Sequence, residues 1–139
     1  MTYRILAMFG LLSLLTSASL SAQDSPVHFN IPFAFHIGKN ILPAGQYRVT
    51  PRLSEGPVLA MQCVDCRKGA LVLTNGVHSA KAWNRPVLEF QRYGDVYFVK
   101  RMWLAGSNAG REFYPSKAER EFARQTPPRQ PKLVAVTAP

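Results

Sequence analysis

The stretch Val87-Leu88-Glu89-Phe90-Gln91-Arg92-Tyr93-Gly94-Asp95-Val96-Tyr97-Phe98-Val99-Lys100-Arg101-Met102-Trp103 decides the fold class. Two runs rich in β-branched and aromatic residues flank Gly94-Asp95, and a two-residue loop led by glycine suits a type I′ or II′ hairpin turn. Folding the chain there sets Tyr93 opposite Val96, Phe90 opposite Val99 and Glu89 opposite Lys100. The last pair brings opposite charges directly across the strands, worth about 0.2–1 kcal/mol. Leu88, Phe90, Tyr97 and Val99 then share one face, the expected core side. A slip of one residue would separate all these partners, so the pattern specifies the register.

The same logic extends towards the N-terminus. From Val27 to Ile37 every odd position is a large apolar residue and no even one is, the period of a half-buried strand. Pro32 lacks an N–H, so this strand must bend there or lie at an edge. Gly38-Lys39-Asn40 and Leu42-Pro43-Ala44-Gly45 read as turns, after which Tyr47 and Val49 face one way and Arg48 the other. Val58 to Met61 and Leu71 to Thr74 are short strands, with Cys63-Val64-Asp65-Cys66 at the hairpin tip between them. Asn75-Gly76 closes the second strand. Residues 76–86 lack periodicity and read as a longer loop that holds Trp83.

Beyond the hairpin, Gly106-Ser107-Asn108-Ala109-Gly110 reads as a flexible loop. Ser116 and Glu119 have capping-box spacing, which predicts a helix from Lys117 to about Arg124 with Ala118 and Phe122 turned to the body. The segment from Thr126 holds four prolines and is expected to be extended and mobile, in preference to an added edge strand at Leu133-Val134-Ala135-Val136. Turn signals at short spacing predict an all-β chain. The expected architecture is a small antiparallel β-sandwich or barrel of six to seven strands with one short C-terminal helix. The expected division is a signal peptide over 1–22, a β-rich domain over 23–125 and a Pro-rich flexible tail over 126–139.

Met1 to Arg4 forms a basic n-region, Ile5 to Leu15 an apolar h-region and Thr16 to Ala22 a run of small residues. That is the anatomy of a secretory signal peptide, too short in its apolar part to span a bilayer, which needs roughly 20 residues. A cut after Ala22 is expected, with Ser19 the alternative. One of the 17 basic residues, Arg4, leaves with the leader, so 16 basic residues stand against 8 acidic ones, net +8. They are scattered, without the continuous stripe that specific nucleic-acid binding uses. An exported basic domain meets anionic envelope polysaccharide or lipid head groups by charge attraction. The expected location is the periplasm or the extracellular space, with no transmembrane segment in the mature chain.

Several strings also look alike to a known group: Ile31-Pro32-Phe33-Ala34-Phe35-His36-Ile37-Gly38, Leu42-Pro43-Ala44-Gly45-Gln46-Tyr47 and Arg92-Tyr93-Gly94-Asp95-Val96-Tyr97-Phe98. With Gly110-Arg111-Glu112 and Ser116-Lys117-Ala118-Glu119-Arg120-Glu121, they resemble a family of small exported β-rich proteins of the acidobacterial type that has no assigned activity. The resemblance spans roughly residues 27–124. It implies export and a β-rich fold, and it carries no functional residues. The pair Cys63 and Cys66 departs from the simple polar turn the family implies.

Cys63 and Cys66 are the best local candidates for chemistry. Three readings apply: a disulfide staple across a tight turn in an oxidising compartment, a redox pair, or half of a zinc site. Redox pairs sit at helix N-termini where the dipole lowers the thiol pKa, whereas strands flank this one. Zinc needs two further ligands, and the sequence supplies none nearby. His28 and His36 are expected to point outward from the first strand. Nucleophile elbows and phosphate loops are missing. Asp65 and Asp95 occupy turns, Glu89 has a cross-strand partner, and Glu119 and Glu121 sit on the helix, so few acids remain for catalysis. The expectation is a non-catalytic exported module, without cofactor or metal, whose cations Arg67, Lys68, Lys100 and Arg101 meet an anionic ligand. Exposed Trp83 or Trp103 would assist. The alternative is a thiol–disulfide protein using Cys63 and Cys66. A weaker idea has Phe33, Phe35, Tyr97 and Phe98 lining a cavity for an apolar ligand.

Overall fold

Pro32 ends the first strand outright. In the computed structural model, which describes residues 25–51 and 56–135, the alternating segment divides into β1 (Val27–Ile31) and β2 (Phe35–Ile37), which pair with different partners. The alternation survives the break: Phe29, Ile31, Phe35 and Ile37 are all buried. The expected leader over 1–22 lies outside the described residues. The remaining strands are β3 (Asn40–Leu42), β4 (Gly45–Pro51), β5 (Val58–Cys63), β6 (Gly69–Trp83), β7 (Val87–Tyr93), β8 (Val96–Trp103), β9 (Ser107–Phe113) and β10 (Pro128–Ala135). Among the described residues one helix, α1 (Lys117–Gln125), interrupts them.

The described residues are therefore all-β with one short helix, and their ten strands exceed the six or seven that periodicity indicates. They form one sheet in the order β1-β4-β5-β6-β9-β8-β2-β3, with β7 on β8 and β10 on β7. Each pairing is antiparallel except the single β2–β8 contact, His36 with Phe98. β1 and β10 come within 8 Å of each other, measured between Cα atoms. Side chains from both halves of the sheet meet in one core: Phe29, Tyr47, Val49 and Met61 with Phe35, Leu88, Phe90 and Met102. Phe35 packs edge-to-face against Tyr47 and Phe90, ring centres 5.2 and 5.4 Å apart, a favoured geometry for aromatic quadrupoles.

Four expectations about connections are corrected. Asn75-Gly76 is not a turn, and residues 76–83 are not a loop, because β6 runs through both. Its first part pairs with β5 up to Leu73, and from Thr74 it pairs with β9. The strand changes partner where the composition reads as a break. Ser107 to Gly110 likewise belongs to β9, and Gly110 is small because the Trp103 ring occupies the space beside it. The segment after Thr126 is not a free tail, since Pro128–Ala135 lies along the open edge of β7 as β10. An unpaired edge exposes N–H and C=O groups, and β10 satisfies them.

The hairpin turn at Gly94-Asp95 forms as expected, Gly94 taking φ +59°. Tyr93 pairs with Val96 and Phe90 with Val99. A bulge then makes Lys100 an extra residue, so Glu89 faces Arg101 and not Lys100. Two successive side chains of a bulged strand oppose one partner residue, and the shift restores Met102 to the buried face opposite Leu88.

Helix α1 begins where its cap predicts. Ser116 Oγ accepts from the Glu119 N–H at 3.1 Å. The Glu119 carboxylate, however, turns inward to accept from Tyr93 Oη at 3.5 Å and is 5% exposed. Glu119 and Phe122 thus dock the helix and Ala118 stays exposed, because Phe98 on the outer face of β8 offers Phe122 a ring to pack on, centres 5.7 Å apart.

Candidate functional site

The β5–β6 hairpin ends in a tip built for rigidity. Gln62 and Gly69 form its last pair, and the Cys63 N–H donates to Lys68 O at 2.8 Å. Cys63 and Cys66 lie at disulfide distance, sulfur to sulfur 2.05 Å, and the Val64 N–H donates to Gln46 O at 2.9 Å, tying the tip to β4. Cys63 faces the core and is buried, while Asp65, Arg67 and Lys68 are exposed. Arg67 holds φ +53°, the sole non-glycine residue with positive φ among the described residues. Such a conformation is uncommon outside glycine, asparagine and aspartate, and here the closed ring of the tip maintains it.

Beside this tip the outer face of the sheet carries a polar row. Strand register sets His28 opposite Arg48, Arg48 opposite Gln62, and Gln62 opposite Gly69. Adjacent strands lie about 4.8 Å apart, so the side chains stand in line across three strands and stop at the bare glycine. Arg48, Gln62, Val64, Arg67 and Lys68 surround a surface groove of about 380 Å³ with Gly69 in its lining. Arg48, Arg67 and Lys68 have no carboxylate partner among the described residues. Arg48 is the functional candidate that sequence reasoning missed. Its signal was present in the alternation that turns it away from Tyr47 and Val49, but its neighbours depend on the register of three strands.

Lys100 and Arg101 stand elsewhere and are already engaged. Arg101 pairs with Glu89 at 3.2 Å and with Glu112 at 3.1 Å, and Lys100 reaches Glu112 at 3.9 Å. The bulge sends both cations towards these carboxylates, so the four cations singled out from sequence are two separate pairs. Trp103 is also removed from any exposed role: it is 5% exposed, donates Nε1–H to Glu89 Oε2 at 3.0 Å and stacks on Trp83 at 5.8 Å. Trp83 is half-buried on β6.

Burial changes the other titratable groups near the helix. Desolvation raises the Glu119 carboxyl above its ordinary pKa, with the Lys100 ammonium and the Tyr93 hydrogen bond partly opposing it. Tyr93 is raised by burial and then by the Glu119 charge. His36 does not point freely outward, because it stacks on Phe98 at 4.5 Å and faces Phe122, and burial lowers its pKa. Among the described residues no group of three His, Cys, Asp or Glu side chains is placed to share a metal ion. Phe33 stacks on Tyr97 at 4.0 Å, and Phe35 and Phe98 are buried. Phe33, Phe35 and Tyr97 pack in or against the core, whereas Phe98 lies under the helix against Phe122, so the four rings do not line one cavity.

No described helix is long and apolar enough to cross a membrane. By its fold, then, the chain is an all-β domain with a disulfide-distance pair at one hairpin tip and a cation groove beside it. Comparison with known protein families, with curated proteins and with solved structures finds no match.

Proposed function

We propose that this protein is an exported, non-catalytic β-domain that serves the cell envelope as a binding or structural module for anionic polymers. One observation carries the reading. Glu89, Glu112 and Asp95 are held in ion pairs and Glu119 is buried against Tyr93, whereas Arg48, Arg67 and Lys68 have no carboxylate partner among the described residues and line one groove. At the tip the exposed Asp65 is, among the described residues, the one acid beside these cations, so the surface that meets solvent there carries a net positive charge. The leader-like segment and the resemblance to small exported acidobacterial proteins support export. The strand circuit β1-β4-β5-β6-β9-β8-β7-β10, with β10 near β1, supports a small filled barrel.

The test is binding of the chain lacking residues 1–22 to acidic envelope polysaccharide, anionic lipid vesicles and neutral glycan. Binding to an acidic probe that falls as salt screens the charges supports the reading. Equal binding to neutral and acidic probes, or none to either, refutes it. The thiol–disulfide alternative predicts insulin-reduction activity that disappears in Cys63→Ser. The setting of the pair on strands supplies no helix dipole to lower a thiol pKa.

A further inference from the structure

We infer that the groove beside the Cys63–Cys66 staple is a preformed site for carboxylate groups along an acidic polysaccharide. Arg48, Arg67 and Lys68 are its cations and Gln62 its neutral donor. This rests on the anionic-polymer reading above and gives it a place and a ligand class.

Geometry supplies the first argument. Arg48 and Gln62 stand side by side on adjacent strands, and the next position in the row is Gly69. A Cβ at Gly69 would lie 2.9 Å from Met61 O, so no other residue fits there without displacing backbone. The glycine leaves the floor of the groove bare where Arg67 and Lys68 overhang it from the tip. The groove thus runs across the strands with cations at both ends. A guanidinium donates two parallel N–H bonds that match a carboxylate, and arginines on two elements suit a chain that presents such groups repeatedly.

The staple supplies the second. Arg67 and Lys68 follow Cys66 directly, and Arg67 holds a left-handed backbone. Residues kept in sparsely populated conformations cluster at ligand sites, where the surroundings over-determine them. Here the Cys63–Cys66 link and the Cys63 N–H bond to Lys68 O do so. The backbone that carries these cations is fixed before a ligand arrives, which reduces the entropy lost on binding.

The lining chooses among anions. It contains no aromatic ring, so a nucleobase has no stacking platform. Val64 is the one exposed large apolar residue at the tip, too little to insert into a bilayer, where binding scales with buried apolar area. A carboxylated glycan needs neither.

The experiment measures affinity of the oxidised chain lacking residues 1–22 for oligogalacturonate, for dextran oligomers and for phosphatidylglycerol vesicles. Oligogalacturonate should bind and dextran should not. Arg48→Gln and the double variant Arg67→Gln/Lys68→Gln should each weaken binding about tenfold or more, the loss of charge-assisted hydrogen bonds. Lys117→Gln/Arg124→Gln removes the same charge from the exposed face of α1 and should leave affinity within about twofold, since charges beyond a Debye length are screened. Cys63→Ser/Cys66→Ser should weaken binding while unfolding stays cooperative; if it does not fold, the cation variants decide. Equal losses in the tip and helix doubles, or full binding by Arg48→Gln, overturn the site while the anionic-polymer reading stands. Binding to vesicles alone overturns the glycan assignment. Binding to neither acidic probe overturns both the site and the reading it rests on.

Discussion

Gly110 and Gly76 sit almost opposite each other in the β6–β9 ladder, Gly110 paired with Val77 and Gly76 with Arg111, yet alanine at the two positions should act with opposite sign. At Gly110 a Cβ would lie 2.5 Å from Trp103 Cε3 and 2.7 Å from Met102 O, against the 3.5–4.0 Å at which carbon atoms attract. The tryptophan cannot retreat, since Glu89 holds its Nε1 at 3.0 Å and Trp83 covers its face. Either β9 lifts from β8 or the Glu89 bond breaks. Overpacking costs about 1–3 kcal/mol and a hydrogen bond to a charged group about 1.5–3 kcal/mol. Gly110→Ala should therefore destabilise by about 1–3 kcal/mol by either route, a sizeable part of the roughly 5–15 kcal/mol typical of a domain. At Gly76 a Cβ would meet nothing within 4 Å, and φ is not positive. Gly76→Ala should stabilise by about 0.4–1 kcal/mol by restricting the unfolded chain. Were Asn75-Gly76 a left-handed turn, alanine would instead cost about 1–2 kcal/mol. Urea unfolding followed by tryptophan fluorescence gives both values by linear extrapolation. A loss below about 1 kcal/mol at Gly110, or above about 1 kcal/mol at Gly76, would refute the packing argument and the continuous β6 respectively.

Other substitutions probe the helix, the core and the last strand. Ser116→Ala removes the cap that binds the Glu119 N–H and should cost about 0.5–2 kcal/mol in urea unfolding. Because burial raises the Glu119 pKa in the native state, the native protein holds that proton more tightly than the unfolded chain. The resulting stabilisation is full below the ordinary carboxyl range and fades as pH rises through the raised native value. Glu119→Gln should flatten the urea midpoint across that interval, and an unchanged profile would contradict the buried carboxyl. Tyr47→Phe deletes the hydroxyl that donates to Pro43 O at 2.5 Å and should cost about 1–3 kcal/mol by leaving a carbonyl unsatisfied. Truncation before Pro128 should open the edge of β7, seen as faster amide exchange of those β7 N–H groups that β10 covers, while β4 and β5 keep their protection.

Local signals were strong where a single element settles its own conformation. Gly94 at a two-residue loop specified the β7–β8 turn, Ser116 the start of α1, and the apolar alternation from Val27 to Ile37 the buried face of two strands. The tip at Cys63–Cys66 was also visible, because strand-like runs on either side require a turn between them. Errors arose where a segment's state depends on a distant partner. Residues 76–83 and Ser107–Phe113 are poor strand formers alone and form strands against each other. The tail is proline-rich and exposed, and it becomes β10 because β7 has an edge to cover. Strand propensity is in large part a measure of such packing.

The candidate site divides along the same line. Residue type and spacing by themselves determined that Cys63 and Cys66 can close one turn, that Arg67 and Lys68 follow it, and that Arg48 faces away from the core. Only the tertiary structure decided that Arg48 and Gln62 join Arg67 and Lys68 around one groove, while Lys100 and Arg101 are neutralised by Glu89 and Glu112. The physical reason is that alternation records which face a side chain takes, whereas its neighbours on that face follow from the register between strands, and a single bulge at Lys100 is enough to exchange one set of partners for another.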